Sequence, residues 1–205
     1  MRSKLALFAA VTLLGLGAPA FAATATKDTA PTAKAGTYAI DPRHTQVVFA
    51  IRHMGLSTFY GRFGAISGTL NFDPAAPEKS TLTATIDMTN IKTHVDELDR
   101  ELKDSVFHVQ KFPTATFTAT DIVKTSASTG TVTGMLTLAG VTKPVTLNVT
   151  FNGGRNSPVP LQPYRAGFDA TATIKRSDFG LDKAIWSGIV SDDVQLQIEC
   201  ELEKQ

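Results

Sequence analysis

The feature that most constrains this chain is an alternation of apolar and polar side chains with a period of two, repeated in segment after segment. In Val145-Thr146-Leu147-Asn148-Val149-Thr150-Phe151 the apolar groups fall on one face of an extended chain and the polar groups on the other, because successive side chains of a strand point to opposite faces. The pattern recurs. Val47, Phe49, Ile51 and His53 share one phase, as do Ile66, Gly68, Leu70 and Phe72 ahead of an Asp73-Pro74 stop, then Leu82, Ala84, Ile86 and Met88, then Ala115, Phe117 and Ala119. Runs centred on 132–138, 145–151, 168–174 and 194–202 bring the count to eight or nine strands. Threonine fills many outward positions, which keeps strand propensity while wetting the outer face.

So many half-polar strands exclude a single open sheet, which would leave an apolar face in water and two bare edges. A closed antiparallel barrel or a two-sheet sandwich satisfies the pattern. The interior of an eight-stranded barrel is either filled by side chains or holds one small ligand, and the bulky set Phe49, Phe59, Phe63, Phe72, Phe107, Phe112, Phe117, Phe168, Phe179 and Trp186 serves both outcomes. One segment reads as helical. Thr93-His94-Val95-Asp96 resembles a helix start, and Val95, Leu98, Leu102 and Val106 recur at helical spacing. Asp96 with Arg100, and Asp99 with Lys103, then fall four apart and are expected on the wet face. The apolar face must lie against the sheet or cover an opening.

Residues 1–22 carry Arg2 and Lys4, a short apolar run and the small-residue ending Ala20-Phe21-Ala22. This predicts a cleaved signal peptide rather than a membrane anchor. Residues 23–36 are rich in Ala, Thr, Lys and Pro and are expected to form a flexible leader, leaving 37–205 as one domain. Of 20 basic residues two fall in the signal, against 19 acidic residues, so the exported chain is nearly neutral and gives no basis for nucleic-acid binding. Cys200 is the only cysteine, which excludes an intrachain disulfide in an exported protein. Its phase with Val194, Leu196, Ile198 and Leu202 points it inward as a small hydrophobe.

Signatures of catalysis are absent. His44, His53, His94 and His108 are scattered, with no HExxH or CxxC scaffold for a metal, no Gly-x-Ser-x-Gly elbow and no phosphate loop. Ser177-Asp178 precedes Phe179-Gly180 and reads as turn chemistry, as does Gly140 in Leu138-Ala139-Gly140-Val141.

Several longer stretches together carry a family likeness. These are Tyr38-Ala39-Ile40-Asp41-Pro42 with His44, Val47-Val48-Phe49-Ala50-Ile51-Arg52-His53-Met54-Gly55, Tyr60-Gly61-Arg62-Phe63, Leu102-Lys103-Asp104-Ser105-Val106-Phe107 and Lys111-Phe112-Pro113-Thr114-Ala115-Thr116-Phe117. They continue with Gly134 to Val145, Arg176-Ser177-Asp178-Phe179-Gly180-Leu181 and Val190-Ser191-Asp192-Asp193-Val194. In these the chain resembles the YceI family over 37–203. The resemblance implies an all-β, antiparallel, eight-stranded lipocalin-like barrel with one short amphipathic helix. It implies noncatalytic binding, storage or transfer of a polyisoprenoid lipid, such as an isoprenoid quinone, in the periplasm of a Gram-negative bacterium. The lipid-facing set is then expected to be Val47, Phe49, Ile51, His53, Phe59, Phe63, Phe72, Phe107, Phe117 and Trp186, with neither a catalytic cofactor nor a metal. His44, His53, Arg52 and Arg62 are the candidates for the polar head, and His53 is expected inside the barrel with Phe49 and Ile51. The chain departs from the family pattern at Glu101 and His108, expected near the cavity mouth. An inner-membrane protein that supplies or accepts the lipid, and a homodimer, fit the same reading. The rival reading is a structural or protein-interaction barrel whose interior is filled.

Overall fold

The computed structural model describes residues 32–182, 186 and 188–205. The expected signal peptide and the leader up to residue 31 lie outside the described residues. What is described of the leader is tied to the fold: the Thr32 carbonyl accepts the Gly154 N–H at 2.8 Å, and the Tyr38 hydroxyl donates to the Lys34 carbonyl at 2.6 Å.

The alternating segments form β1 (Gly36–Ile40), β2 (Gln46–His53), β3 (Ser57–Arg62), β4 (Ile66–Phe72), β5 (Thr81–Asp87), β6 (Thr114–Lys124), β7 (Thr129–Leu138), β8 (Val141–Arg155), β9 (Arg165–Lys175) and β10 (Val190–Lys204). The neighbours run β1-β4-β5-β6-β7-β8-β9-β10, and β10 pairs back onto β1. This closes an eight-stranded antiparallel barrel. The β2–β3 hairpin continues the wall beside β1, because long β10 pairs β1 through Leu202–Lys204 and β2 through Val190–Glu199. Between those contacts the chain bends at Asp41–Thr45, and the Thr45 hydroxyl satisfies Glu201, donating to its carbonyl at 3.1 Å and accepting its N–H at 3.2 Å. Outside the barrel, threonines face one another in register: Thr133 with Thr146 at 2.9 Å and Thr137 with Thr142 at 2.8 Å. Such cross-strand pairs stabilise a wet sheet face.

The helical segment differs from its expectation over 93–106. Helix α1 spans Asp96–Glu101 and widens into a π turn over Leu102–Val106. Asp99 is not on the wet face; it is 2% exposed. Its carboxylate accepts the Thr93 N–H at 2.6 Å and hydroxyl at 2.7 Å, while the Lys92 ammonium lies 3.1 Å from its other oxygen. Asp99 therefore pins the turn that leads into α1 and has Lys92, rather than Lys103, as its cation. Arg100 pairs with Glu97 at 3.1 Å rather than with the Asp96 carboxylate. The segment caps one end of the barrel, where Met88, Ile91, Leu102, Phe107 and Val109 join a core cluster with Phe49, Leu138, Ile174 and Leu196. A second cluster, with Tyr38, Ile40, Ile66, Leu70, Ala166 and Leu202, occupies the other end.

The Ser177-Asp178 stretch is a structural staple. Arg176 donates to the carbonyls of Ser191, Leu181 and Val190 at 2.9, 2.9 and 3.2 Å. Asp192 accepts both the N–H and the hydroxyl of Ser177 at 2.8 and 2.7 Å, and left-handed Gly180 ends the turn.

Candidate functional site

Inward phase on all eight barrel strands creates an apolar cavity of about 370 Å³, within the range of ligand pockets. Its lining runs along β6 from Ala115 to Lys124 and along β7 from Thr129 to Leu138, roughly 30 Å of strand at about 3.3 Å per residue. Small side chains make the room: Ala84, Ala115 and Ala170 face the interior from β5, β6 and β9 among Leu70, Leu82, Val132, Leu147 and Leu196. Most aromatic rings gather at the two ends, while Phe117 lines the wall across from Ala84. At the capped end Phe63 lies between Phe49 and Phe107, with centroids 5.2 and 6.0 Å away. At the other end Phe72, Phe151 and Phe168 form a triangle with centroids 4.9–5.6 Å apart.

The open end is identified by exposed residues among the lining. Lys124, Ser126, Ala127 and Thr129 of the β6–β7 turn, with Pro74, Pro77 and Ser80 after β4, rim the cavity. The rim is firmly held: Ser126 Oγ accepts the N–H groups of Ser128 and Thr129 at 3.2 and 3.1 Å, and the Ser128 carbonyl accepts the Phe151 N–H at 2.7 Å. These hydroxyls and Lys124 are the polar groups nearest an occupant's outer end. The alternation of the sequence does not mark the β6–β7 turn, and only ring closure makes it a rim.

Of the residues expected to face a ligand, Val47, Phe63, Phe72 and Phe117 line the cavity. Phe49 and Phe107 are buried behind Phe63, while Ile51 and Trp186 pack against that core without lining the cavity. Phe59 stacks on the His94 ring, centroids 5.0 Å apart. The inward expectation for His53 is corrected: it is exposed. The β2–β10 register slips between Val190 and Val194, so His53 lies past the regular wall and has no interior to enter. Arg52 and Arg62 are likewise exposed and outside the lining, and Arg52 instead clasps its own hairpin through the Gly55 carbonyl and the Thr58 hydroxyl. Glu101 and His108 sit at the capped end rather than at the mouth.

His44 belongs to a charged cluster on the outer wall. Asp41 Oδ2 meets His44 Nδ1 at 2.7 Å and accepts from Arg165 Nη1 at 2.8 Å; the same guanidinium reaches Glu201 at 3.1 Å. Asp41, His44 and Glu201 lie close enough to converge on one cation, but Arg165 already supplies the positive charge between the two carboxylates. Burial alone would raise the Asp41 carboxyl, yet the bonds from Arg165, His44 and Arg43 outweigh it and hold the group well below the usual carboxylate range. This cluster braces the β1–β2 bend and is not arranged for catalysis.

Cys200 lines the cavity beside Thr45. Burial pushes its thiol up to about 11, as expected of a packing residue rather than a nucleophile.

A family model described as a YceI-like domain matches residues 38–202. A UPF0312 protein of Yersinia enterocolitica is 40% identical over 195 residues, covering 93% of this chain and 95% of its own. BcnA of Burkholderia cenocepacia is similar in structure, with a TM-score of 0.70 at 25% identity over 79% of this chain and 98% of its own. A polyisoprenoid binding domain from Saccharophagus degradans shares the fold, with a TM-score of 0.59 at 18% identity over 84% of this chain and all of its own.

Proposed function

The chain belongs to the YceI-like domain family, and from that premise we propose that it is a noncatalytic carrier that holds a long apolar lipid, of the polyisoprenoid class that includes isoprenoid quinones, along the barrel axis. The observation that carries this reading is the elongated cavity, apolar along most of its length and polar chiefly at its mouth. A water-filled apolar cavity is unfavourable, whereas burying a hydrocarbon chain contributes roughly 25 cal/mol per Å² before association costs. The polyisoprenoid binding domain from Saccharophagus degradans, which shares the fold, points to the same ligand class. In this reading Val47, Phe63, Phe72 and Phe117 touch the tail, and the polar head sits at the rim by Lys124, Ser126 and Thr129. We further infer that residues 1–22 export the carrier and that it works in the periplasm, where an aqueous gap separates two membranes and a free isoprenoid is poorly soluble. An inner-membrane protein that loads or empties it, and a homodimer, are compatible with this arrangement.

The test is native mass spectrometry of the exported protein purified without detergent, paired with mass analysis of its organic extract. A stoichiometric adduct that extracts as an isoprenoid is expected. The bare polypeptide mass, together with failure to take up isoprenoids in titration, would leave the filled, structural barrel as the better account. Quinone incubated with the protein should be recovered unchanged.

A further inference from the structure

The end of the barrel that carries the mouth also displays apolar side chains that no packing accounts for. β7 begins at Thr129, opposite Thr150 of β8, yet β8 continues to Arg155 and pairs there with Arg165 of β9. The β8–β9 hairpin thus carries on past the β6–β7 turn by roughly 17 Å of extended chain, at about 3.3 Å per residue. Its tip reads Ser157-Pro158-Val159-Pro160-Leu161-Gln162-Pro163, with three prolines and no acidic residue. Val159 is 56% exposed, and Leu161 is fully exposed. Leu161 is also left-handed, at φ 66°, a conformation that is costly for a bulky side chain. The prolines fix neighbouring φ angles and the Gln162 N–H closes the turn on the Val159 carbonyl at 3.3 Å, so the tip is stiff. At its root Phe151 and Phe168 line the cavity, with Asn152, Gly153, Gly154 and Arg155 between them and the tip. Two cations flank it: exposed Arg155, and Lys34, whose ammonium lies over the Tyr164 ring 4.6 Å from its centroid. Elsewhere at this end Lys79, Lys124 and Lys204 are set against Asp73, Glu78, Asp121 and Glu203, so its net charge is small and apolar insertion has to supply most of the attraction.

We propose that the β8–β9 hairpin docks the mouth of the barrel on a lipid bilayer, with Val159 and Leu161 entering the interface and Arg155 and Lys34 meeting the head groups. This rests on the carrier reading above, since a greasy cargo that leaves a bilayer must reach the mouth without crossing water. The other exposed apolar tip, Met54 and Leu56 beside Ile189, is at the capped end and serves as the control.

The experiment is flotation of the signal-cleaved protein with vesicles of phosphatidylethanolamine and phosphatidylglycerol, compared with Val159→Ser/Leu161→Asn and with Met54→Ser/Leu56→Ser. Asparagine tolerates the left-handed region, so the hairpin variant should melt with the parent. It should lose vesicle binding by about tenfold or more, given the apolar area removed, while the control variant keeps it. Unchanged binding by the hairpin variant, loss confined to the control variant, or a parent that does not float would each overturn the proposal. Uptake of an isoprenol from detergent solution, scored separately, reads the carrier function alone. A parent that floats through its hairpin but takes up no isoprenol from any source would overturn the carrier reading and leave docking standing.

Discussion

Asp41 shows how one side chain holds the barrel closed where the chain itself breaks. Its carboxylate is buried at the β1–β2 bend and takes bonds from Arg165, His44 and Arg43. Because these depress its pKa in the folded state, its stabilisation is fully present above the unfolded value, about 3.9, and is lost as pH falls toward the folded value. Asp41→Asn should therefore destabilise the protein at pH 7 by about 2 kcal/mol, since it leaves Arg165 short of a charged partner. The difference from the parent should begin to narrow below about pH 4. Urea titrations at pH 7 and pH 3 measure both values, and a gap as wide at pH 3 would show that the carboxylate's charge is not what matters. Cys200 makes a second residue-scale prediction. With its thiol pushed up to about 11, alkylation of the native protein at pH 8 should be slower than in urea by roughly a hundredfold or more. Bound lipid should slow it further because Sγ faces the cavity. Rapid native labelling would place the thiol in water.

Among the elements, the β2–β3 hairpin is where phase reading both succeeds and stops. Phe49 was legible as an inward residue from Val47 and Ile51, and it is buried against Phe63 with Gly61 directly across the strand pair. A Cβ at Gly61 would overlap the Phe49 ring, so the glycine provides the floor on which the ring lies. Phe49→Asp should unfold the capped end and cost about 4 kcal/mol or more, whereas Phe49→Leu should cost about 1–2 kcal/mol. Thermal melts that match the parent for Phe49→Asp would remove it from the core. The same alternation predicted His53 inward and failed, because period two describes a strand only while a neighbour keeps the register. β3 was not legible as a strand: Tyr60 faces water and its short run offers no clear apolar face. Nor did periodicity reveal that Asp99 turns inward. Its partners, Thr93 and Lys92, lie in the turn before α1, and a four-apart rule looks only along a helix. The long Thr-alternating strands from β4 to β10 were legible because each carries its own two-faced pattern, while the rim and the cap depend on how separate segments meet.

At the scale of the whole molecule, the sequence left open whether the barrel is filled or hollow, because counting aromatic residues does not show where their rings go. Most rings cluster near the ends, with Phe117 on the wall, and the space between is bordered by small inward residues, Ala84 and Ala170 among them, which composition does not single out. Ala84→Leu and Ala170→Leu therefore separate the two architectures. Each adds three carbons to a space lined by hydrocarbon, and burial is worth about 0.8 kcal/mol per methylene. In a hollow carrier the lipid-free protein should melt no lower than the parent, since the added carbons fill existing space, and uptake of an isoprenol should fall by about tenfold as the tail loses volume. In a filled barrel the same substitutions overpack the core, cost about 1–3 kcal/mol and have no uptake to diminish. Melting curves of delipidated protein beside isoprenol titrations measure both quantities on one sample. A lowered melting temperature with unchanged lipid uptake would contradict the carrier, because it would mean that Ala84 and Ala170 pack against protein and that any lipid binds elsewhere.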